Sequence, residues 1–171
     1  MCSTIIWIYT ALRQPARFSR LVLIGSLPRY LNDTDYRGGF SEEDPNGLYR
    51  AMTSSYAEWA DQFAPNVMRN EDRSALAQHF AATIKSIPKE RALTVLCSIF
   101  QSDHRAEVQK LRHPTLLIHA SDDIAVPTEV AHYLNRHIVG SQLKIILAKG
   151  HLPHISAPNE VLAAMQEFVA A

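Results

Sequence analysis

Pro114-Thr115-Leu116-Leu117-Ile118-His119-Ala120-Ser121-Asp122-Asp123-Ile124-Ala125-Val126-Pro127 begins as an apolar run, Leu116 to Ile118. The run ends in small and acidic residues, and Pro127 then opens a helical pattern. A buried strand that delivers a carboxylate at its C-terminal end has this form, and α/β folds build their sites at that end. A second unit follows, Leu143 to Leu147 and then Ala148-Lys149-Gly150-His151. Strand, acid, helix, strand and Gly-His is the order of the acid and base of a triad arranged Ser, Asp, His along the chain.

Working outward, Leu21-Val22-Leu23-Ile24-Gly25 is an apolar run that is continuous rather than alternating, which favours a parallel sheet covered on both faces. Ahead of it, Met1 to Arg13 reads as a helix that stops before Pro15, with Ile5, Ile8 and Leu12 on one stripe. Residues 32–39 form a loop. Asp44-Pro45 is an N-cap with proline at the first helical position, and that helix runs toward Phe63 and stops before Pro65. Ala75 to Lys85 and Lys89 to Phe100 give two more helices broken at Ile87-Pro88, and Asp103 to Leu111 a short one. Roughly residues 41–112 are thus a helical excursion between two strands, the form of a lid over a pocket. Thr128 to His137 is a helix. Asn159 caps a last one to Ala171, with Val161, Leu162, Met165, Phe168 and Val169 inward.

The 171 residues fit one domain, long enough to hide about 70% of the extended surface. Hydrophobic residues are 47% and charged residues 20%, as in soluble globular chains. Lys+Arg and Asp+Glu are both 17, so nothing draws the whole surface to nucleic acid or to anionic membrane. Cys2 and Cys97 make no framework, which points to a reducing, cytoplasmic setting. No apolar run reaches the roughly 18 residues of a membrane span, and Met1 to Leu12 lacks the marks of a signal peptide.

Taken singly, the chemical residues are ambiguous. His151 after Gly150 could be a general base near pH 7, or a loop histidine bonded to backbone. Asp122 and Asp123 could simply cap the next helix. Together, each at its own strand end and 28 residues apart for Asp123 and His151, they carry much more, because a carboxylate there fixes the imidazole tautomer and stabilises the imidazolium. His151 and His154 have an H-x-x-H spacing, but no third ligand cluster accompanies them, so neither metal nor other cofactor is expected. The remaining histidines, His79, His104, His113, His119, His132 and His137, read as surface or satisfied core residues. Trp59, Phe63 and Phe100 could line a pocket or be lid core.

Several segments resemble the α/β-hydrolase family that contains the stress-response regulator RsbQ and the plant strigolactone and karrikin receptors. They are Arg17 to Gly25, Pro28-Arg29-Tyr30-Leu31-Asn32, Tyr36-Arg37-Gly38-Gly39-Phe40, Phe100 to Arg105, Asp123 to Pro127 and Gly150-His151-Leu152-Pro153-His154. The resemblance covers nearly the whole chain. It implies Asp123, rather than Asp122, as triad acid, His151 as base, and a lid pocket lined by Phe40, Trp59, Phe63, Phe100 and Val126. The fold it implies is a truncated α/β hydrolase, about three parallel strands with flanking helices and a lid, corresponding to the family's C-terminal portion.

The departure lies at the front. The family's nucleophile sits in a Gly-His-Ser elbow, and counting back from Pro15 and Phe18 places that serine on Met1. Cys2 would supply one oxyanion N–H. Ser3 matches two positions further on, which along a helix turns it roughly 200° away. Loss of a serine protease's nucleophile alone costs about 10⁶ in kcat. The strand at Leu21 to Ile24 becomes an apolar edge that the helix of Met1 to Arg13 must cover. Three readings stay open. One is a serine hydrolase of small apolar esters, lactones or related carbonyl compounds, inactive as it stands. The second is a small hydrophobic ligand-binding signalling protein acting through a partner protein. The third is a fragment without independent activity.

Overall fold

The computed structural model describes residues 2–170. Its sheet is parallel, ordered β1 (Leu21–Ile24), β2 (Thr115–Asp122), β3 (Ser141–Lys149). Leu21 pairs with Thr115, and Thr115 with Ser141. All three expected strands form. β3 runs two residues further at each end than the expected Leu143 to Leu147, because pairing with β2 carries it from Ser141 opposite Thr115 to Lys149 opposite Asp122.

Helices cover both faces. Before β1 stands α1 (Cys2–Arg13). Between β1 and β2 lie α2 (Asp44–Ser54), α3 (Tyr56–Met68), α4 (Ser74–Lys85), α5 (Lys89–Gln101) and the single turn α6 (Arg105–Val108). Then come α7 (Thr128–His137), α8 (Pro153–Ser156) and α9 (Pro158–Ala170). One core cluster joins Leu21, Leu23 and Leu117 to Ile8 of α1, Val130 and Leu134 of α7, and Phe100 of α5. The other joins Leu116, Ile118 and Ile146 to Val161, Ala164 and Phe168 of α9. Alternate residues of β2 thus enter different clusters, as the two-residue period of a strand demands.

Four helix expectations need correction. The 44–63 helix is two: the chain breaks at the extended Ser55 and restarts. The second passes through Pro65 to Met68, because burial of Ala60, Ala64, Val67 and Met68 outweighs the one backbone bond that the proline removes. Asp44 is the first helical residue and not the cap, and its carboxylate accepts the Ser41 N–H. In α9, Asn159 lies inside the helix, and Leu162 and Val169 point outward at 53% and 62% exposure.

Position Met1, where the nucleophile is expected, lies outside the described residues, as do the side chains of Cys2 and Ser3. α1 covers a face of the sheet instead of its edge. Ile8 and Ala11 pack with Leu21 and Leu23, while a groove of about 630 Å³ lined by Trp7, Phe18, Val22 and Ile24 follows the edge of β1.

Candidate active site

Three strand ends share one rim, and each contributes through the residue just beyond it. After β1, Gly25 sits at φ +54 and donates its N–H to the Ile118 carbonyl. A Cβ there would stand 3.2 Å from the His151 ring, so only glycine leaves the imidazole its place without strain. At the end of β2, Asp122, its last residue, and Asp123 part company. Asp122 faces outward to Arg69 at 3.5 Å, and Asp123 turns in, its side chain 0% exposed. After β3, Gly150 at φ +85 turns the chain so that His151 points back over the rim.

Asp123 Oδ2 and His151 Nδ1 are 2.7 Å apart, with the His151 side chain 3% exposed. A carboxylate only accepts, so Nδ1 carries the proton and donates it, and Nε2 is the nitrogen left for a reacting group. Asp123 Oδ1 in turn accepts the N–H groups of Ala125 (2.9 Å) and Val126 (3.0 Å). A buried carboxylate with three donors is oriented before any substrate arrives.

The helical segment grips this loop. His151 N–H donates to the Val67 carbonyl at the end of α3, and Gly150 N–H to the Asp122 carbonyl. Asn70 Nδ2 donates to the Lys149 carbonyl at 3.1 Å.

The aromatic candidates divide into two groups. Phe40 and Phe100 meet edge to face with centroids 5.2 Å apart, both against Tyr30, inside the same core cluster as Val126. Trp59 and Phe63 stack at 4.7 Å on α3, with Tyr56 on the other side of Trp59, and are half-buried. Val126 alone of the five bonds directly to the acid.

Of the two places the sequence allowed His119, surface or satisfied core, the structure shows the second. It is 2% exposed on β2, and its Nε2 lies 2.9 Å from the Val126 carbonyl. Burial pushes its imidazole below the ordinary histidine range, with the Asp123 charge acting the other way. The signal was a polar residue within the apolar run Leu116 to Ala120, which must find a partner.

No family model matches the chain. Among curated proteins it is 37% identical over 168 residues to a probable esterase of Oryza sativa subsp. japonica, covering 98% of this chain. It is 37% identical over 160 residues to a strigolactone esterase of Arabidopsis thaliana, covering 93% of this chain. The chain spans 62% and 60% of the lengths of these two relatives. That extent agrees with the C-terminal portion expected from the motifs. Among solved structures, a hydrolase from Oleispira antarctica superposes with TM-score 0.93 at 28% identity, covering 99% of this chain and 62% of that one.

Proposed function

The chain belongs to the α/β-hydrolase superfamily, and from that premise we propose that it carries the acid and base of a serine hydrolase acting on a small apolar ester, lactone or related carbonyl compound. The observation that carries this reading is the buried 2.7 Å contact between Asp123 and His151 at the ends of adjacent strands. His151 Nε2 takes the proton of a nucleophile as it attacks the carbonyl, and returns it to the leaving alkoxide. Asp123 holds Nδ1–H and stabilises the imidazolium in between. The nucleophile of this reading is expected at position 1, where the sequence has methionine.

A second reading has its own support. A 37% identical relative is the karrikin insensitive 2 receptor CA of Petunia hybrida. On this reading the half-buried Tyr56–Trp59–Phe63 stack recognises a small hydrophobic ligand, and the helical lid, closed over it, engages a signalling protein.

One experiment separates them. The purified chain is assayed with p-nitrophenyl acetate and, in parallel, for quenching of tryptophan fluorescence by small apolar lactones. Background turnover with saturable quenching lost in Phe63→Ala, which keeps Trp59 as reporter, favours the binding reading. Turnover abolished by His151→Ala favours the hydrolase reading and requires a nucleophile other than the expected one. Turnover that persists in His151→Ala contradicts the assignment of the base.

A further inference from the structure

We propose that His119 is a positioning residue for Asp123: its Nε2–H holds the Val126 carbonyl and so fixes the residue whose N–H orients the carboxylate. The inference rests on the reading of Asp123 and His151 as acid and base.

A bond chain runs through the site. His119 Nε2 meets the Val126 carbonyl at 2.9 Å, Val126 N–H meets Asp123 Oδ1 at 3.0 Å, and Asp123 Oδ2 meets His151 Nδ1 at 2.7 Å. A carbonyl only accepts, so His119 is the Nε2–H donor. Val126 is therefore bonded through both its N–H and its C=O, and its side chain is fully buried. With Oδ1 occupied by two backbone N–H groups, Oδ2 is the oxygen left to face the base. The neighbours of His119 on β2, from Leu116 to Ala120, are all apolar and at most 3% exposed. A polar ring in such a run is costly unless its hydrogen bond is made. This one is made across the turn that carries the acid, which bridges strand to loop.

Two variants separate positioning from packing. A glutamine amide nitrogen reaches the place of Nε2, whereas an asparagine amide ends near Nδ1 and falls short of Val126. In ¹⁵N-labelled protein, His119→Gln should keep the wild-type exchange rate of the Val126 amide and the Nδ1–H tautomer of His151. His119→Asn should speed Val126 exchange about tenfold and shift His151 away from that tautomer, while amides of α9 keep their rates. The proposal is overturned if His119→Asn leaves both readouts at wild type, or if His119→Gln disturbs them as much as His119→Asn does. Should His119→Asn not fold, His119→Gln decides alone: unchanged readouts support the proposal, altered ones overturn it. Neither readout needs a substrate, so failure of ester hydrolysis would tell against the hydrolase reading and not against this one.

Discussion

The backbone N–H of His151 donates to the carbonyl of Val67 at 2.9 Å, so the last turn of α3 holds the loop that bears the base. The contact is tight because residue 150 is glycine. A Cβ built there would lie 2.1 Å from the Met68 carbonyl oxygen, and φ is already +85. Gly150→Ala meets both penalties, a left-handed backbone and a clash with main chain that has no flexible end to move. We predict a loss of about 2–4 kcal/mol in urea denaturation. A loss under about 1 kcal/mol would mean that α3 and the base loop are not in contact.

Two aromatic substitutions in the helical segment should differ in kind. Phe100 is buried against Tyr30 and Phe40. Phe100→Ala is predicted to cost about 3–5 kcal/mol of stability. Trp59 is half-buried in a stack with Tyr56 and Phe63. Trp59→Ala should cost only about 1 kcal/mol. Equal costs in chemical denaturation would show that the stack is core and not a surface open to a ligand.

Asp103 gives the fold an acid limit. Hydrogen bonds from the Arg105 guanidinium, with Arg29 on the other side, draw its carboxyl down to about 2. The folded value lies below the ordinary carboxylate value, so the stabilisation is complete above about pH 4 and fades as pH falls from 4 toward 2. Because the pair is partly solvated, the effect is about 1 kcal/mol. Thermal melts of wild type and Asp103→Asn should therefore differ at pH 6 and converge near pH 2. A constant gap across that window would remove Asp103 from the account.

Much of this was legible in the chain. Leu21 to Ile24 and Leu116 to Ile118 are continuous apolar runs, as strands covered on their faces leave, while Leu143 to Leu147 is apolar apart from Lys144 and forms the edge strand, with Leu147 exposed. Asp123 and Gly150-His151 stand just past such runs, so their meeting followed from parallel pairing. What stayed hidden depends on partners distant in sequence. Nothing near Pro65 announces that four buried residues around it keep α3 helical to Met68. Leu162 and Val169 share the apolar character of α9 but lie off the stripe set by Val161, Ala164 and Phe168, and only the packed sheet shows which stripe faces in. The pocket candidates fall into two groups, Phe100 and Val126 in the core cluster with Phe40 packed against it, and Trp59 and Phe63 in their own stack, a division set by partners distant in sequence.

The most direct measurement is the protonation state of the His151 ring in ¹⁵N-histidine-labelled protein, read from long-range nitrogen–proton couplings. The account predicts the Nδ1–H tautomer in the neutral ring, with Nε2 unprotonated, and loss of that preference in Asp123→Ala. A neutral His151 protonated on Nε2, or one indifferent to Asp123→Ala, would contradict it.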